Sequence, residues 1–183
     1  MLSIHPAVLP TQYSAASALA ATVFTSPKRI WVPQQESSAS SPWKRHTASC
    51  NASIQNVAFD YIGSCHQGVL LRDLLGGVAR MQGPGDQVFA QMGVSAIRVK
   101  IMWPGYTRVV PFERPLPVAG LTRAKVGLEI ARLIHCFLAK SVAPESHPQF
   151  AVGPSKIPFE RLVLVSIHKV ANDVWQADIA YDS

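Results

Sequence analysis

Apolar positions recur at two different spacings along the chain, and the switches between them mark out the elements. Leu70, Leu71, Leu74, Leu75 and Val78 repeat at helical spacing. Ser64 stands before them as a cap, with Gln67 placed to reach back in a capping box. Gly76 and Gly77 weaken this helix, and Gly83-Pro84-Gly85 stops it. A short helix over 86–92 closed by Gly93 follows. Strict alternation then takes over, with Ile97, Val99 and Ile101 on one side and Arg98, Lys100 and Met102 on the other. Trp103-Pro104-Gly105-Tyr106 has the residues of a turn, and 107–112 returns as a strand; Pro111, Pro115 and Pro117 keep the chain extended up to Gly120.

The longest helical pattern starts at Thr122, an N-cap, and runs to about Val142. It places Val126, Ile130, Leu133, Ile134, Phe137 and Leu138 on one face and Lys125, Glu129, Arg132, Cys136 and Lys140 on the opposite one. Such a helix spans roughly 30 Å, the width of a small domain. Near the C-terminus, Leu162 to Val170 and Val174 to Tyr181 form a strand pair around Asn172-Asp173. Helices and strands do not alternate regularly. The pattern therefore predicts an α+β fold, a long amphipathic helix packed on a small antiparallel sheet.

Composition changes the picture mainly at the N-terminus. Residues 1–57 are rich in Ser, Ala and Pro and hold the single acid Glu36. They bury too little apolar surface to offset the entropy of ordering, so they read as a disordered arm ahead of one domain over 58–183. Trp31 and Trp43 could still dock on the body or on a partner. The chain of 183 residues carries a formal charge of +6, from 17 basic and 11 acidic residues. Four of the basic residues lie in the arm, so the body from residue 59 onward, with 13 basic and 10 acidic residues, is nearly balanced. Cys50, Cys65 and Cys136 cannot form a paired disulfide framework. No apolar run is long enough for a membrane helix, and no basic start precedes the weak apolar stretch 15–24, which argues against secretion. The expected location is intracellular, cytoplasmic or nuclear, with mitochondrial targeting left open because the arm is Ser-rich and acid-poor.

Three motifs stand in a suggestive order: Arg98 to Tyr106 ending in Trp-Pro-Gly-Tyr, Leu121-Thr122-Arg123-Ala124-Lys125 opening the long helix, and Phe159 to Val170 followed by Trp175-Gln176. Together they resemble a widespread family of uncharacterised proteins of mushroom-forming fungi over roughly residues 68–181. The chain departs from that pattern at Val126-Gly127 and across Ala171-Asn172-Asp173-Val174. The resemblance implies a fungal, intracellular protein and carries no activity, cofactor or mechanism.

Candidate chemistry is sparse. Cys65-His66 and His135-Cys136 are adjacent pairs, and neighbouring residues on a helix diverge by about 100°, so they do not suit one ion. Neither a metal nor a cofactor is expected. Cys136, between Arg132 and Lys140 on one helix face, is the sole nucleophile candidate, with His135 beside it. Arg98, Lys100, Trp103, Tyr106 and Arg108 make a basic-aromatic hairpin able to track phosphates and stack bases. The favoured reading is a non-catalytic interaction or scaffold module that contacts a protein partner or itself through the surface around Trp103 to Arg108 and the C-terminal hairpin. Nucleic-acid binding and a small cysteine enzyme are the alternatives. Leu162 to Val170 is apolar enough to pair with another chain if it lies at an edge.

Overall fold

The structure is a computed structural model that describes residues 24–33, 56–106, 112–140, 148–153 and 155–183. Its centre is the C-terminal hairpin, β6 (Leu162–Ala171) and β7 (Val174–Asp182), turning at Asn172-Asp173. Each arm of this hairpin carries two short strands on its outer side. β6 pairs antiparallel with β2 (Asn56–Ala58) and with β3 (Val69–Leu70). β7 pairs antiparallel with β1 (Arg29–Trp31) near its end, and parallel with β4 (Ala96–Ile101) near its start. β5 (Phe112–Pro117) pairs antiparallel with β4 and closes the row.

The sheet is therefore mixed, with seven strands among the described residues, rather than small and antiparallel. Both expected hairpins are antiparallel within themselves. They meet side by side at β4 and β7, and the helix between them carries the chain across, so that junction is parallel. From Val163 to His168, β6 is an interior strand with partners on both sides, and that stretch offers no edge to another chain. The edge strand β5 contains Pro115 and Pro117, which lack the N–H a further strand would need. The return strand expected over 107–112 begins only at Phe112; residues 107–111 lie outside the described set.

Among the described residues, two α-helices pack on one face. α1 (Leu71–Leu75) has five residues and α2 (Arg123–Lys140) has eighteen. The capping box at Ser64 does not form. Ser64 Oγ donates instead to the Tyr61 carbonyl, and His66 and Gly68 take positive φ. Val69 and Leu70 then join β6, so the helix starts late, and Gly77 with φ +67 ends the turn after it. Between 86 and 92 only a 3-10 turn (Ala90–Met92) forms, followed by Gly93 in the left-handed region.

The core lies between α2 and the inner sheet face. Val126, Ile130, Ile134 and Phe137 meet Leu162, Leu164, Ile167, Trp175 and Ile179 there. Phe89 meets Trp175 edge-on, with ring centroids 5.1 Å apart. Gly127 faces Leu74 and Phe59 so closely that a Cβ would come within 3.1 Å of the Leu74 side chain. The missing side chain lets α1 and α2 pack at short range.

Most of the segment expected to be a disordered arm, residues 1–23 and 34–55, lies outside the described residues, Trp43 included. The described part is structured. Trp31 stacks with Phe24 and packs on Val163, Val165 and Ala180 on the outer sheet face. Arg29 makes a bidentate pair with Asp182, at 2.8 and 2.9 Å, and also donates to the Gln67 carbonyl. The domain therefore includes chain from well before residue 58.

Candidate functional site

The residues proposed as a basic-aromatic hairpin are divided among structural tasks. Trp103-Pro104-Gly105-Tyr106 forms the expected turn: Tyr106 N–H donates to Trp103 O at 3.1 Å, and Gly105 has φ +82. The Trp103 side chain is fully buried, and its indole N–H donates to Phe150 O at 2.7 Å. Tyr106 is half-buried against Phe137, and its hydroxyl accepts from Val152 N–H. An exposed aromatic surface was expected here; the pull of the core on both rings corrects it.

Arg98 is exposed but engaged. It grips Asp173 with two bonds of 2.7 and 2.8 Å and donates to Glu113 at 2.6 Å, tying the β6–β7 turn to β4 and β5. The hydrogen bond with Asp173 raises the Arg98 guanidinium above its ordinary value and holds the Asp173 carboxyl below the usual aspartate range. Lys100 is half-buried on the same strand, and Arg108 lies outside the described residues. On α2, the exposed His135 ring packs edge-on against Phe159 at 5.1 Å, and Cys136 is a half-buried free thiol. No group of three or more His, Cys, Asp or Glu among the described residues is arranged to hold a metal ion. No described helix is long and apolar enough to cross a membrane.

Arg123, from the second motif, is a structural hub. Its guanidinium donates to Ala58 O at 2.6 Å, to Gly83 O at 3.3 Å and to Asp86 Oδ2 at 3.2 Å. Its own N–H and that of Ala124, two orphan donors of the first helical turn, are taken by Asp86 O and Pro84 O. Thr122 Oγ1 accepts from Lys125 N–H at 3.4 Å, so the cap sits where the sequence places it. An open cavity of about 630 Å³ lies between Arg123, Asp86–Val88 and β2.

A polar cluster that sequence reasoning missed lies on the outer face of the hairpin. Ser166, His168, Gln176 and Asp178 are all buried. Ser166 Oγ donates to Asp178 Oδ2 at 2.6 Å, and His168 Nδ1 lies 3.0 Å from the same oxygen. The serine thus addresses the carboxylate and not the imidazole, unlike the nucleophile of a Ser–His–Asp relay. Nε2 of His168 and Nε2 of Gln176, residues paired across the two strands, have no hydrogen-bond partner among the described residues. The signal was present as polar residues at alternate positions of an apolar hairpin.

Among the described residues, the two most exposed large aliphatic side chains lie near α1. Ile62 is 72% exposed and Val78 68% exposed. Their segments are joined by the Tyr61–Met81 bridge and by Ile62 N–H donating to Arg80 O at 2.9 Å. The turn is braced from within. Asp60 Oδ1 accepts from Gln67 and Gly68 N–H, and Tyr61 hydroxyl donates to Asp73 at 2.5 Å. Burial first, and then the bond to Asp73, push the Tyr61 phenol up to about 12. Beside Val78, a groove of about 160 Å³ runs between the end of α1 and the start of α2, with Leu74 and Met81 facing Ala124 and Leu128. The helical spacing had placed Val78 in the core; Gly76-Gly77 redirect the chain and leave it outside.

Searches of family models, curated proteins and solved structures find no match to this chain.

Proposed function

We propose that the protein is a non-catalytic protein-interaction module whose contact surface is the Ile62–Val78 patch and the adjoining groove. The observation that carries this reading is the exposure of two large aliphatic side chains, 72% and 68%, beside an apolar groove and on turns held by internal hydrogen bonds. Single exposed aliphatics are common; two on adjoining, braced segments beside an apolar groove favour a contact role. The surface around Trp103 to Arg108 recedes as a contact region because its aromatic rings are turned into the fold.

The motifs that carry the fungal resemblance support the same reading. Trp103 and Tyr106 anchor residues 150 and 152, Arg123 holds three backbone segments or side chains in place, and Trp175 fills the core. Residues of these kinds maintain a scaffold and leave the exposed loops free to vary.

A photo-crosslinking amino acid placed at Val78, at Ile62 and, as a control, at Asn172 in the distant β6–β7 turn tests the proposal in cells that make the protein. Discrete adducts from the first two positions and none from Asn172 are expected. Equal labelling from all three, or none from any, would sink the idea.

A further inference from the structure

We infer that this surface takes an acidic segment of another protein, anchored by one apolar side chain in the groove between α1 and α2. The inference rests on the interaction reading above and names the chemistry of the partner.

Size sets the anchor. The groove, about 160 Å³ and lined mainly by Leu74, Met81, Ala124 and Leu128, has room for a single Leu, Ile, Met or Phe side chain rather than a whole helix. Val78 does not line the groove itself, but it stands between two residues that do, Gly77 and Ala79, and its exposed side chain adds apolar surface beside them. Ile62 extends the apolar surface along the Arg80 backbone.

Charge sets the flanks. Lys125 lines the groove, and the exposed Arg80 stands between Ala79 and Met81, which also line it. Arg80 and Lys125 form no ion pair among the described residues. The acids of the two helices are already engaged: Asp73 accepts from Tyr61 and pairs with Arg72, and Glu129 pairs with Arg132 at 2.6 Å. Carboxylates flanking the anchor would meet these cations at the rim, where charges chiefly govern association rate and specificity. A second copy of the chain fits poorly, because nearly all of its described carboxylates are already ion-paired or buried.

Selection from a random peptide display library against the full chain tests this. Val78→Asp and Lys125→Glu change exposed positions and should leave the fold intact, as circular dichroism would verify. Enriched peptides should carry an apolar residue flanked by Asp or Glu. They should bind Val78→Asp about tenfold more weakly and Lys125→Glu about threefold more weakly, and lose affinity as salt rises. Lys156→Glu, away from the groove, should bind as the wild type does. Peptides sensitive to Val78→Asp but indifferent to Lys125→Glu and salt would overturn the acidic partner while leaving the interaction surface standing. Failure to enrich any peptide, or peptides indifferent to both substitutions, would overturn both. Self-association in sedimentation, abolished by Val78→Asp, would replace the acidic partner with a second copy.

Discussion

Ser166 and Asp178 stand directly opposite one another on β6 and β7, and the serine hydroxyl donates to the aspartate across the pair at 2.6 Å inside the protein. His168 shares the accepting oxygen, so one buried carboxylate serves two side chains. Asp178→Ala removes that acceptor and leaves both donors without it. The expected destabilisation is about 3 kcal/mol, against about 1 kcal/mol for Ser166→Ala. Urea denaturation of the two variants and the double variant measures this. Strictly additive losses would contradict a shared acceptor.

Arg123 joins β2, the Gly83–Asp86 loop and the start of α2. Arg123→Ala should cost about 2 kcal/mol, because it leaves two half-buried backbone carbonyls, those of Ala58 and Gly83, without their charged donor. Arg123→Lys keeps the charge but cannot span the same acceptors, so it should recover less than half of the loss. Thermal melts of the three proteins give the comparison.

Gly68 has φ +80, and a Cβ there would lie 2.5 Å from Val163 Cγ1 and 2.8 Å from Leu164 O. Gly68→Ala should therefore destabilise by about 2–4 kcal/mol, through backbone strain and collision with β6 together. Hydrogen exchange should show the loosening first at Val69 and Leu70.

The Arg98–Asp173 pair has a pH signature. Asp173 titrates below its ordinary value in the folded protein, so its contribution is present above the usual aspartate pKa of about 4 and is lost as pH falls through the lower, folded value. Asp173→Asn should flatten the acid limb of the stability profile relative to wild type. Identical acid limbs would show that the bond contributes nothing in solution.

Tyr61 titrates at about 12 in the fold against 10.0 ordinarily, so its contribution holds below pH 10 and fades as pH rises toward 12. The difference in phenolate absorbance between wild type and Tyr61→Phe should have its midpoint near 12. In Asp73→Asn the midpoint should drop part of the way only, because burial is the larger cause and remains.

Much of this architecture is legible one segment at a time. The spacing of Val126, Ile130, Ile134 and Phe137 identifies the buried face of α2, and Asn172-Asp173 between two apolar runs identifies the hairpin. Trp-Pro-Gly-Tyr specifies its turn because Pro104 and Gly105 admit few other backbones. The candidate site is hardly legible at all. Val78 fits the helical spacing of its neighbours as well as Leu74 does, yet one is buried and the other 68% exposed.

The difference is physical. Periodicity, capping and turn chemistry act over a few residues, so the chain alone determines where a helix or hairpin can form and which of its faces is apolar. Strand partners and exposure depend on segments far apart in sequence. Only the tertiary structure decides that β4 runs parallel to β7, that β6 captures Val69 and Leu70 from a would-be helix, and that Trp103 is buried while Arg98, on the strand before it, is spent on Asp173 and Glu113. For the same reason, the four polar residues of the hairpin become a buried cluster, and Ile62 and Val78 become a surface, once the rest of the chain has packed.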